Sequence, residues 1–119
     1  LGVAIGAFGA HGLRTYLENM SGDVDVARML STFETGARYQ MYHAPVLILI
    51  GLLLARRPGR MLRIAGGCVL AGVIIFSGSL YMLVLSGVKV LGAIVPIGGM
   101  LLIIGWTLLA IAAWRDEAS

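Results

Sequence analysis

His11 and His43 are the only imidazoles in the chain, and both stand in strongly apolar sequence. His11 lies in "GAFGAHG", His43 in "YQMYHAP", and a third polar group, Ser77, Ser79 and Tyr81, lies in "FSGSLY". Tyr39, Tyr42 and His43 are spaced i, i+3 and i+4, which places them on one face of a helix. Four chemistries are open to such a set. It can form a hydrogen-bonded layer that fixes helices against each other. It can line a pocket for a small ligand, a quinone or a lipid head. Two imidazoles can contribute to a metal or haem site, and a serine with His43 can pair as nucleophile and base.

The last two are the less favoured. Zinc usually takes three or four protein ligands. Met41 and Met82 could add soft donors for copper(I), but methionine in an apolar helix is ordinarily filler. A serine–histidine pair would need an orienting carboxylate, and only Glu34 is near enough in sequence to reach that depth. Cys68 precedes Tyr81 by 13 residues, about 20 Å along a helix, so a cysteine–histidine dyad is excluded within one chain. No catalytic residue, metal or cofactor is assigned, and an enzyme is not the favoured reading.

The elements that must carry these residues follow from composition. Of 119 residues, 59% are hydrophobic and 13% charged, with a mean hydropathy of +0.93. Soluble domains carry about 25% charged residues, so this is a membrane chain. Its 17 glycines and the absence of alternating ten-residue strands point to close-packed helices rather than a barrel. The net charge of +3 does not indicate nucleic acid, because the arginines flank apolar runs and form no aromatic-interleaved patch. A single cysteine excludes an internal disulfide.

A span needs about 20 residues. The pattern predicts four, at about 1–13, 37–55, 62–85 and 94–114, within one membrane domain. The first is read as truncated, since the sequence opens inside an apolar run. The run Val46–Ala55 alone is too short to cross, so the second span must include Tyr39, Tyr42 and His43, packed against protein; the alternative is an aromatic belt with a new helix at Pro45. Between spans one and two, "SGDVD" offers turn and cap residues. The spacing of Leu30, Phe33, Ala37 and Met41 then predicts an amphipathic surface helix over about 24–38, a lid on the bundle. Glu34 and Arg38 are spaced as an i,i+4 pair.

Arg56, Arg57, Arg60 and Arg63 crowd the connection "RRPGRMLR". The positive-inside rule puts that connection in the cytoplasm, and four spans place both termini there too. The same four arginines are candidates for anionic lipid heads. Gly2, Gly6 and Ala10, and Gly98, Gly105 and Ala112, form small-residue stripes suited to close packing or to a homo-oligomer.

The motifs "GAFGAHGL", "YQMYHAPVLILIG", "FSGSLYMLVLSG" and "PIGGMLLIIGW", in this order, resemble the family of small four-helix membrane proteins called domain of unknown function 423, which includes transmembrane protein 256. The resemblance implies a bacterial inner-membrane or mitochondrial protein and carries no activity over. Its recurring positions map onto Gly9, His11, Gly12, Tyr42, His43, Ser77, Gly78, Ser79, Tyr81, Pro96, Gly98 and Gly99. The expectation is an all-α integral membrane protein of the bacterial inner membrane. Its candidate ligand-binding residues are His11, Tyr39, Tyr42, His43, Ser77, Ser79 and Tyr81. Its favoured role is structural or accessory, in a homo-oligomer or larger membrane complex, with a small-ligand, quinone or lipid-binding module under the lid helix as the alternative and a metal or haem site or a passive transporter less favoured.

Overall fold

The computed structural model describes residues 1–19 and 25–118, with side chains through 115. Its elements are α1 (Gly2–His11), α2 (Leu13–Glu18), α3 (Val26–Arg56), α4 (Arg60–Ser86), a 3₁₀ turn (Lys89–Ala93) and α5 (Val95–Ala118). No strand occurs among the described residues. Three segments are long and apolar enough to cross a membrane: Val26–Arg56, Arg60–Ser86 and Lys89–Arg115. They contain the expected spans at 37–55, 62–85 and 94–114.

Two expectations change. The expected surface helix and the second span are one helix of 31 residues, about 46 Å long. Asp25 starts it, its carboxylate accepting from the Arg28 N–H at 3.1 Å, and nothing between there and Pro45 stops it. Thr32 and Thr35 turn their hydroxyls back onto the Arg28 and Ser31 carbonyls rather than out to an interface. The helix also continues through Pro45, so no new helix begins there. The residues 21–24 of "SGDVD" lie outside the described residues. At the other end of the sequence, α1 has ten residues, about 15 Å, which is short of a crossing. What covers the end of α3 and α4 is the short α2, whose Leu13 and Leu17 are buried against Phe33 and Val84.

The helix ends have local causes. Pro58 and Gly59 separate α3 from α4. Gly87, at φ 72°, takes the left-handed conformation that closes α4, its N–H bonded to the Leu83 carbonyl at 2.9 Å; a side chain is strained there. The exposed pair Arg38–Glu34 forms at 3.1 Å, as the spacing predicts, and contributes about 0.3–0.5 kcal/mol.

The helices lie as a slab with extents of 59 × 26 × 15 Å. The α4 helix is central, with α3 on one side and α5 on the other; α3 and α5 make no close backbone approach. The tightest seam joins α4 and α5. A Cβ on Gly98 would run into the Phe76 backbone and the Gly72 carbonyl oxygen, and one on Gly105 would meet Val69 Cγ2 at 2.7 Å. This is the small-residue stripe used for internal packing. The stripe on α1 is used less regularly: Gly2 faces Met41 and Gly9 faces Phe33, while Gly6 meets open space. One apolar cluster, Ile50, Leu62, Ala65, Val69, Leu102 and Leu109, holds the half of the slab near the arginines. Outside it, Ile48, Ile74 and Ile103 are each more than 60% exposed. Such surface is costly in water, at about 25 cal/mol per Å², and costs nothing facing hydrocarbon.

Gly98→Val should therefore destabilise the protein by about 1–3 kcal/mol through overpacking, read as a lower melting temperature in detergent. Gly67→Ala, at a position open to its surroundings, should leave it level or slightly raised. Equal effects at both positions would rule out the close backbone seam.

Candidate functional site

The polar residues meet along one flank of α3. Gly36, Gln40 and His43 follow each other at helical spacing, and each takes a bond from or gives a bond to another group. Ser77 on α4 donates its hydroxyl to the Gly36 carbonyl at 2.7 Å. The Gly36 position is closed above by the Tyr81 ring, which a Cβ there would meet at 2.9 Å. Tyr81, one turn beyond Ser77, donates to Gln40 Oε1 at 2.6 Å. Both bonds cross the α3–α4 interface where hydrocarbon would otherwise leave the hydroxyls without partners.

His43 is buried, at 5% exposure, and both of its nitrogens are engaged. Nδ1 lies 2.6 Å from the Tyr39 carbonyl oxygen. A carbonyl can only accept, so Nδ1 carries the proton. Nε2 then accepts from the Trp106 indole N–H at 3.0 Å, a bond that reaches from α5 to α3. The rings back this up: Trp106 meets His43 edge to face at 5.9 Å, and Tyr39 packs on Phe76 of α4 at 4.6 Å. One turn of α3, next to Pro45, is thus held from both neighbouring helices.

Of the sequence-derived candidates, His43, Ser77, Tyr81 and the ring of Tyr39 come together here. Ser79 is buried on α4. Tyr42 is 60% exposed and turns outward, contrary to the expectation that both tyrosines pack against protein. His11 is exposed and distant. It ends a helix that runs antiparallel to α3, with Gly9 beside Phe33, and Phe33 is about ten positions, or about 15 Å, from His43. The two imidazoles therefore do not share a site. A metal at His43 would have to displace the Trp106 bond, and no group of three potential metal-ligating side chains occurs among the described residues. Met41 and Met82 are both exposed.

Three participants were not singled out from sequence: Gln40, Trp106 and Tyr16, whose hydroxyl donates to the Leu85 carbonyl at 3.1 Å. Gln40 was findable, being a polar residue within an apolar span and one helical turn after Gly36. Trp106 has the ordinary look of a lipid-facing tryptophan, and nothing in its neighbourhood of sequence points to His43. Every buried side-chain nitrogen and oxygen among the described residues has a hydrogen-bond partner. Within the layer the hydroxyls of Ser77 and Tyr81, both His43 nitrogens and the Trp106 N–H are each paired inside the protein. A groove of about 420 Å³ does exist near α2, but it is lined by Gly6, Gly9, Arg14, Phe33 and Glu34 and touches none of the residues of the polar layer.

Trp106→Phe leaves His43 Nε2 buried without a donor, and should cost about 1–3 kcal/mol of unfolding free energy. Adding His43→Leu to that variant should cost less than the sum of the two single changes, because the orphaned nitrogen goes with it. Additive losses in a denaturation cycle would show that the two side chains act independently.

Comparison with known proteins agrees with this picture of a small helical membrane chain. The family described as "Protein of unknown function (DUF423)" matches residues 5–99. The chain is 44% identical over 115 residues to the UPF0382 membrane protein SAB0533 of Staphylococcus aureus, covering 97% of this chain and 87% of that one. It is 39% identical over 114 residues to the UPF0382 membrane protein YwdK of Bacillus subtilis, covering 95% and 86%. The corresponding protein of Haemophilus influenzae is 40% identical over 116 residues, covering 98% and 86%. No solved structure matches. A match over most of the length, with relatives near 40% identity on both sides of the bacterial cell-wall divide, makes the chain a member of the DUF423 family of membrane proteins.

Proposed function

We propose that this is a four-span protein of the bacterial inner membrane with a structural or accessory role in a larger membrane assembly. The observation that carries the role is the closure of the polar layer. Ser77, Tyr81, Gln40, His43 and Trp106 spend their hydrogen bonds on one another and on backbone carbonyls. In hydrocarbon such bonds fix helix register and orientation, and they leave no reacting group poised toward a substrate.

Orientation is supported by charge. Arg56, Arg57, Arg60 and Arg63 gather where α3 meets α4, and Arg115 lies near the end of α5 at the same end of the slab. The opposite end has Lys89 in the turn between α4 and α5 and Arg14, Arg28 and Arg38 spread over α2 and the start of α3, four basic residues against five clustered ones. The arginine end is the cytoplasmic one on the positive-inside rule. The α1 helix lies antiparallel along the far half of α3, as a helix arriving from the cytoplasmic side would, which supports counting it within a fourth crossing with both termini cytoplasmic. A ligand-binding module under the outer end has less support, since the groove there is separate from the polar layer.

Two measurements test these statements. In a Cys68→Ser background, Lys89→Cys in intact cells should react with a membrane-impermeant maleimide, while Gly59→Cys should react only after lysis; the reverse order would overturn the orientation. Membranes solubilised in mild detergent should show the chain migrating on native gels well above the purified chain in the same detergent. Co-migration of the two would remove the accessory role.

A further inference from the structure

The arginine end holds a second groove, of about 500 Å³, formed where the end of α3, the start of α4 and the end of α5 come together. Its walls differ from those of the groove near α2. Leu53, Leu62 and Leu109 supply apolar surface, and Arg57, Arg60 and Arg115 stand around it. Leu62 and Leu109 are buried and form its floor, whereas the three arginines are exposed at its rim. Arg56 and Arg63, the other members of the cluster in the sequence, do not line it. The α3–α4 connection and the distant end of α5 thus deliver guanidinium groups to one apolar cleft.

We propose that this groove is a binding site for an anionic phospholipid of the cytoplasmic leaflet, with the phosphate held by Arg60 and Arg115 beside Arg57 and the first part of an acyl chain laid on Leu62 and Leu109. The proposal rests on the orientation given above, which puts the groove at the leaflet that carries anionic lipid. Charge and shape select the occupant. Five arginines at this end stand against Asp116 and Glu117, so the end is net positive and complements a phosphodiester. The guanidinium fork matches phosphate oxygens in pairs. A soluble anion would leave the apolar floor bare, whereas a zwitterionic lipid would bring an ammonium group against the arginines.

The test uses the purified full chain in a neutral detergent, where membrane orientation plays no part, with bound lipid counted by native mass spectrometry. Phosphatidylglycerol should bind at least tenfold more tightly than phosphatidylcholine with the same acyl chains. The double variant Arg60→Gln/Arg115→Gln should lose about thirtyfold in phosphatidylglycerol affinity, and Arg14→Gln/Arg38→Gln, at the other end, should lose none. Ala113→Phe keeps every arginine and fills the groove from an exposed position; it should lose phosphatidylglycerol as well, with an unchanged circular dichroism spectrum. Equal binding of the two lipids, equal losses in the two double variants, or full retention by Ala113→Phe would each overturn the proposal. So would displacement by inorganic phosphate alone at millimolar concentration, which would mark an anion site indifferent to the acyl chain.

Discussion

Hydrocarbon offers no partner to a polar group, and that single constraint organises this molecule. A serine, two aromatics with polar tips, an amide and an imidazole sit within the long apolar helices, and each is tied to another helix or to its own backbone. Burial of apolar surface contributes little between helices already dissolved in lipid. Steric fit along the α4–α5 seam and hydrogen bonding along the α3–α4 interface therefore divide the task of holding the slab. The first works through the absence of side chains at Gly72 and Gly98. The second works through side chains that reach across at Ser77 and Tyr81, with Trp106 adding a bond from α5 to α3.

The neutral tautomer of His43 belongs to the same logic. A proton on Nδ1 satisfies a carbonyl and a lone pair on Nε2 satisfies an indole, so one uncharged ring bridges two groups without adding net charge. A phenylalanine of similar shape would leave two partners unmet. A protonated ring would set two donors against each other at the Trp106 side. The residue types in "YQMYHAP" are thus explained by positions along one helical face: a carbonyl from Tyr39, an amide from Gln40 and a ring from His43.

Much of this was legible in the sequence. Apolar length located the three long helices, the i,i+4 spacing of Ser77 and Tyr81 put both hydroxyls on one face, and the arginine cluster marked one end. What was not legible has physical reasons. The second span was expected to run through Pro45, and it does; that the same helix reaches back to Val26 was not expected, because the spacing of Leu30, Phe33, Ala37 and Met41 equally suits a separate surface helix. His11 and His43 appeared at a common depth because depth was counted from span ends. The antiparallel packing of Gly2 on Met41 and Gly9 on Phe33 instead carries His11 outward as α3 runs inward. Trp106 reads as an ordinary lipid-facing tryptophan until its indole N–H is placed against an imidazole.

The slab is only 15 Å deep, and its outer helices meet across the central one through side chains alone: the Trp106–His43 bond, and the apolar cluster that joins Ile50 to Leu102 and Leu109. Mechanically this resembles two leaves on a common spine. The Gly98 seam fixes one leaf to α4 and the serine and tyrosine contacts fix the other, while one polar strut and one greasy patch tie leaf to leaf.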